Sequence, residues 1–281
     1  MCRMGKHKAK TNKQRLLRSR RAIALPVTFL ILFVSLILLV TVTYYFSITR
    51  ISAKNLEVKV SGAEQEMISL EKVIKFVSWS PGSYEIFDFD DFGGKFRVLP
   101  AARTLALDIT DGAAFQEVFF NNSVGEVLYE LPSSDKQENV FLKGDKRAVI
   151  NQSSSTMVQL YASQGQENYE VALSYRPLAG ATVTGSSNGK PVNSLRVYII
   201  SLNSSENIAR SGSFRLKTTC INVTSNWRTY DFLSPITSLL ITANLDDASG
   251  QVSLPISSSA QGAIVNLETV ICSIKLEDVG W

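Results

Sequence analysis

Apolar and polar positions divide this chain into three stretches with different periods. Between Arg21 and Arg50 lie 28 residues, Ala22 to Thr49, without a charged side chain, and Val27 to Val40 reads Val-Thr-Phe-Leu-Ile-Leu-Phe-Val-Ser-Leu-Ile-Leu-Leu-Val. A bilayer core needs only about 20 apolar helical residues, so the run can span with room to tilt. Its length exceeds the roughly 7–15 apolar residues of a cleavable secretory signal. It leaves through Thr43-Tyr44-Tyr45-Phe46, whose tyrosines suit a membrane interface. The expectation is an uncleaved transmembrane helix over 22–49.

The next stretch changes to a 4-3 spacing: Leu56, Val60, Ala63, Met67, Leu70, Ile74 and Val77 form one narrow apolar seam. That spacing predicts an amphipathic stalk helix over 50–80, stopped by Pro81-Gly82, with Glu71 and Lys75 as an i,i+4 pair. Continued from the membrane helix, residues 23–78 would make a rod of about 84 Å, with Gly62 as the place for a bend. The seam has two readings, packing on the chain's own head domain or on helices of neighbouring copies.

From Ser83 the helical period disappears, and short alternating runs rich in Val, Ile, Thr, Tyr and Phe recur between Gly, Asn, Ser and Pro clusters. The predicted strands are 84–89, 95–99, 104–109, 117–121, 126–131, 148–151, 157–162, 169–175, 181–184, 195–202, 213–223, 238–244, 251–255 and 263–276. Fourteen strands exceed one minimal immunoglobulin-type sandwich and imply an elaborated antiparallel two-sheet head, or two β-layers sharing a core, over 81–281. The fold class is therefore mainly β with one long N-terminal helix.

Charge orients the span. The 281 residues carry a formal +4, yet nine basic residues (Arg3, Lys6, Lys8, Lys10, Lys13, Arg15, Arg18, Arg20, Arg21) and no acid stand in 1–21, leaving 20 basic against 25 acidic residues beyond. A basic leader of this kind places residues 1–21 in the cytoplasm and the remainder outside. The Asn-x-Ser/Thr acceptors Asn121, Asn151, Asn203 and Asn222 all follow the span, as an exported, glycosylated surface would have them. Cys2 is in the leader, and Cys220 and Cys272 are the two remaining cysteines. Each shares a strand face with apolar neighbours, so a Cys220–Cys272 disulfide is expected in an oxidising compartment, with two buried free thiols as the alternative.

Few chemistries fit. The one histidine, His7, is in the leader, which leaves no Ser-His-Asp, Cys-His or His-metal site outside, and phosphate-loop spacings are absent from the head. No cofactor is expected. Asp88, Asp90 and Asp91, followed by Gly93-Gly94, could offer oxygens to Ca²⁺, but they lack the spacing and distal Glu of an EF-hand and suit a solvated hairpin. Asp246-Asp247 reads as turn chemistry. The leader lacks interleaved aromatics and abuts a membrane helix, so anionic lipid rather than nucleic acid is its partner.

A short basic leader, Arg21-Ala22, an unbroken apolar helix from Ile23, an amphipathic continuation and a β-rich head together resemble archaeal type IV pilin-like proteins. The resemblance covers roughly the first 80 residues. It implies cleavage between Ala22 and Ile23 with Arg21 as the basic residue before the cut, and bundling of helices into a filament. Val27 stands where many pilins place a Glu, and Pro26 comes early in the helix. The leading expectation is a single-pass surface protein, not an enzyme, with a structural or adhesive role toward an unidentified extracellular ligand. The alternatives are a processed filament subunit with neighbours of its own kind, and a carboxylate-based hydrolase or solute-binding module.

Overall fold

The computed structural model describes residues 11–132, 139–151, 156–165, 168–246 and 248–280. Among these are one helix, α1 (Thr11–Val77), and fifteen strands. The strands are β1 (Tyr84–Phe89), β2 (Lys95–Leu99), β3 (Thr104–Thr110), β4 (Gln116–Ser123), β5 (Glu126–Pro132), β6 (Val140–Lys143), β7 (Val158–Gln164) and β8 (Asn168–Tyr175). They continue as β9 (Leu178–Ser187), β10 (Lys190–Ser201), β11 (Ile208–Ser211), β12 (Phe214–Phe232), β13 (Ser238–Leu245), β14 (Ala248–Pro255) and β15 (Ala263–Asp278). The chain divides into two compact units, Met1–Leu56 and Glu57–Trp281.

In the first unit α1 is long and apolar enough to cross a membrane. The side chains from Pro26 to Asn55 are all exposed, so among the described residues none covers the apolar run. Four of its hydroxyls bond within the helix: Ser35 donates to the Leu32 carbonyl at 2.9 Å, Thr41 to Ile37 and Thr43 to Leu39 at 2.8 Å, and Thr49 to Tyr45 at 2.6 Å. That internal satisfaction is what a lipid environment demands of polar groups.

The second unit begins with the remainder of α1. Val60, Ala63, Met67, Leu70, Ile74 and Val77 are all 0% exposed and belong to the main hydrophobic core, so the seam packs on the chain's own β domain. The helix runs unbroken through Gly62, and the Phe92 ring lies against it: a methyl group there would sit 2.3 Å from Phe92 Cε1. The helix ends where Trp79 takes a left-handed φ of 69°, uncommon for a bulky residue. Its N–H leaves the helical ladder and donates to Cys272 Sγ at 3.4 Å.

The strands form three sheets rather than two. A five-stranded sheet runs β1-β12-β15-β10-β9, a six-stranded sheet β11-β2-β5-β8-β7-β6, and a four-stranded sheet β14-β13-β3-β4. The five-stranded sheet is central, as β15 demonstrates by its alternation. Ala263, Val265 and Leu267 enter one core with the four-stranded sheet, while Cys272, Ile274 and Leu276 enter the other with α1 and the six-stranded sheet. Odd and even residues face opposite sides of a strand, so one strand serves two cores. The expected single shared core is thereby replaced by two. The pairing is antiparallel except between β10 and β15, which run parallel from Val192↔Ile264 to Ser201↔Ser273.

Boundaries follow the burial. Strands with one buried face lie within a few residues of their predicted limits, and β1 and β2 coincide with them. The segment 148–151 makes only an isolated bridge, Ile150↔Leu178, because its apolar residues plug the second core instead of joining a ladder. Arg176 is fully buried and satisfied by Asp145 and by the carbonyls of Asp145, Arg147 and Thr156, which ties down the β6–β7 connection.

Candidate functional site

The central sheet is longer than the layers that cover it. On β12 the register shifts between Cys220 and Asn222, so Val223 stands opposite Cys272, and Ser225, Trp227, Thr229 and Asp231 follow on that same face. Across the sheet the ladders place Trp227 beside Glu268, Glu268 beside Arg196 and Arg196 beside Gly180, one row spanning four strands. The next row holds Ser225, Val270, Tyr198 and Leu178, and the row on the other side Thr229, Asn266, Ser194 and Thr182. Trp227, Val270, Tyr198 and Leu178 belong to neither hydrophobic core. Trp227 is 59% exposed, the Arg196 side chain 53%, and Trp79 36%.

The polar groups of this face neutralise one another. Arg196 Nε donates to Glu268 Oε2 at 2.7 Å, and that carboxylate holds the guanidinium above its ordinary value. Thr229 Oγ1 donates to Asn266 Oδ1 at 2.9 Å, and Lys190 pairs with Asp231 at the end of the sheet. Trp79, at the end of α1, meets Tyr198 edge-on with ring centroids 5.6 Å apart. A methyl group on Gly180 would meet nothing within 4 Å, so the row that begins at the Trp227 indole ends in open space. The result is a partly exposed face: Trp227, Trp79 and the Arg196 guanidinium meet solvent, while Glu268 and Val270 between them are buried.

Elsewhere the predicted residues are dispersed or paired. Cys220 and Cys272 come together, but as buried free thiols with Sγ atoms 3.7 Å apart and not as the expected disulfide. Burial pushes the Cys272 thiol up to about 12. The acidic run makes no common site: Asp88 pairs with Arg215 at 2.9 Å, the Asp90 N–H donates to Glu66, and Asp91 accepts from the Gly93 N–H at 2.7 Å. Among the described residues no three His, Cys, Asp or Glu side chains gather as metal ligands. Asn121, Asn151 and Asn222 are exposed and Asn203 is half-buried. Asn222 lies just past the reach of β1, where β12 pairs only with β15. Arg21, Ala22 and Ile23 lie within α1, and Leu56 at the seam's start is half-buried. Cys2, His7 and Asp247 lie outside the described residues.

One carboxylate is unusual. Glu126 on β5 is pushed up to about 7 by burial, against the pull of Arg103 and with the added repulsion of Glu170 and Asp246. Arg103 spans the cluster, donating to Asp246 at 3.0 Å and to the Ser174 hydroxyl at 2.9 Å, with Glu126 at 3.8 Å. It thereby links the six-stranded and four-stranded sheets.

The residues of the open face do not stand out in the sequence. Trp227 sits in the polar stretch Thr224-Ser225-Asn226-Trp227-Arg228-Thr229, and the one available signal is a large aromatic inside a Ser/Thr/Asn-rich run. Comparison with protein-family models, curated proteins and solved structures finds no match to this chain.

Proposed function

We propose that the protein is a single-pass membrane protein, with its amino terminus in the cytoplasm, that holds a β domain at the cell surface as a structural or adhesive recognition module. The observation that carries the recognition role is the far half of β12 and its neighbourhood in the central sheet, where Trp227 and the Arg196 side chain are exposed. Large aromatic and arginine side chains left exposed together mark surfaces that bind, because their area is favourable to bury on a partner. The exposed apolar stretch of α1, its self-satisfied hydroxyls and the basic leader support the anchor and its orientation. Glycans on Asn121, Asn151 and Asn222 belong to the same reading, since these side chains are exposed. Protease added to intact cells should degrade the β domain and spare a tag on residues 1–21; a protected β domain would refute the orientation.

A second reading, a pilin-like filament subunit cut between Ala22 and Ile23, is favoured by the division of α1 into a bare apolar stretch and a buried seam. In it neighbouring copies, rather than lipid, would cover Val27 to Ile51. Amino-terminal sequencing of the membrane-extracted protein separates the two, because an intact leader means an anchor and a start at Ile23 means processing.

A further inference from the structure

We infer that the outer edge of β12 from Asn222 to Phe232 is a self-association edge, on which a second copy of this chain lays its own β12 antiparallel, centred on Trp227, to join two central sheets into one. The inference concerns the strand's edge and holds whichever side of a membrane carries the β domain.

The first observation is where the edge lies bare. β1 pairs with β12 from Phe214 to Thr219, and the Gly82 N–H and Ser83 carbonyl extend that pairing to Cys220. Past the extra residue Ile221, β12 keeps an unbroken ladder with β15 from Asn222↔Ser273 to Phe232↔Ala263. Successive residues of a paired strand turn their main-chain groups to alternate sides. The Ile274 and Leu276 carbonyls point away from β12, to Ser205 and Glu206, so the odd-numbered residues of β15 face β12 and meet its even-numbered ones from Asn222 onward. The N–H and C=O groups of Val223, Ser225, Trp227, Thr229 and Asp231 are left on the outer edge, and among the described residues no main-chain group pairs with them there.

The second observation is that this edge lacks the devices that keep the others single. A bare edge invites pairing unless it is short, bulged, covered or interrupted by Pro or Lys. β1 and β11 have six and four residues. β9, β4 and β6 each carry an extra residue within the ladder, at Thr184, Phe119 and Leu142. β14 ends at Pro255 and has Ala148 packed against Gly250. Residues 222–232 contain no Pro, Gly or Lys, and 224–229 are exposed throughout.

The third observation selects the occupant. Trp227 is the midpoint of the bare stretch, so a two-fold axis there opposes its whole length in one register, and the outward residues of the two copies supply about ten hydrogen bonds over about 35 Å. Indole then meets indole, Ser225 meets Thr229 and Thr224 meets Tyr230, the aromatic, hydroxyl and aromatic–β-branched pairs that stabilise antiparallel ladders. Arg228 and Asp231 give the stretch no net charge and are themselves paired, with Glu117 and Lys190, so two copies do not repel. The strand is thus its own complement.

The test uses the full chain in detergent micelles, with protein mass read by light scattering. It should be a dimer with a dissociation constant of about 1 μM or tighter. Ser225→Pro removes an outward N–H and spares the ladder with β15, so it should weaken the dimer roughly tenfold or more without lowering the melting temperature of the diluted monomer. Cysteine variants in a Cys2→Ser chain read the register. Trp227→Cys should cross-link to its counterpart under mild oxidation, because opposed Cα atoms lie about 5.5 Å apart. Ser225→Cys alone should not cross-link, and Ser225→Cys with Thr229→Cys should. If Ser225→Pro fails to fold, this cross-linking pattern decides alone. A chain that stays monomeric at every concentration, or a dimer that Trp227→Cys does not cross-link, overturns the inference. A monomer whose edge holds a different protein, lost in Ser225→Pro, makes it a site for a foreign strand and overturns the second copy as occupant.

Discussion

Cys220 and Cys272 face each other from neighbouring strands with Sγ atoms 3.7 Å apart, and the Trp79 N–H at the end of α1 donates to the second of them. The helix terminus and the two longest strands therefore meet at one pair of thiols. Outside the membrane, an oxidant that accepts two electrons should join them with release of two protons. The bond would link residues 52 apart and restrict the unfolded chain by about 4 kcal/mol. Protein taken from its native membrane without reductant should have a mass two hydrogens lower than the dithiol and resist alkylation after unfolding. Two alkylatable thiols would leave Cys220 and Cys272 as the buried free thiols seen in the structure.

The seam prediction concerns stability. Leu70 is 0% exposed within the main core, so Leu70→Ala removes buried methyl groups and leaves a cavity at a cost of about 2–5 kcal/mol. Thermal unfolding of the full chain should register the loss as a lower melting temperature. An unchanged melting temperature with loss of oligomers alone would return the seam to neighbouring copies.

Gly62 and Phe92 give a sharper version of that prediction. Alanine is the better helix former by about 1 kcal/mol, but its methyl would lie 2.3 Å from the Phe92 ring, and overpacking of this kind costs about 1–3 kcal/mol. Gly62→Ala should therefore destabilise the β domain, and Phe92→Ala in the same chain should recover part of the loss. If Gly62→Ala alone stabilises, the ring does not pack on the helix.

Glu126 makes stability fall as pH rises. Its folded-state value near 7 stands above the ordinary 4.5, so the folded protein holds the proton more tightly than the unfolded chain. Its stabilising contribution is complete below the ordinary value and is lost as pH climbs through 7. Arg103 opposes the shift, while Glu170 and Asp246 reinforce it. Melting temperatures measured across this window should decline, and Glu126→Gln should flatten the decline. A slope unchanged by Glu126→Gln would assign it to another group.

The parts of the fold that were legible in the sequence are those with one buried face. The seam from Val60 to Val77 and the alternation in β3, β5 and β13 were readable because burial repeats every 3.6 or 2 residues. The far half of β12 was missed because both faces of 224–229 meet solvent and no apolar alternation remains. The short edge strands β6 and β11 were missed for lack of length. That β15 serves two cores, and pairs parallel with β10, depends on contacts distant in sequence. The open face follows from that topology: Trp227, Glu268 and Arg196 become neighbours only when β12, β15 and β10 assemble, so no linear motif could announce them.

The central claim, that the chain presents the open face of its central sheet to the outside of the cell, is tested most directly by thiol labelling at that face. Thr229 is exposed beside Trp227's row, whereas Cys220 and Cys272 are buried. In a Thr229→Cys variant, a membrane-impermeant maleimide applied to intact cells should label residue 229 as fully as it does after permeabilisation, with little label on the parent protein. Labelling that appears only after permeabilisation, or no labelling of residue 229 in either case, would contradict it.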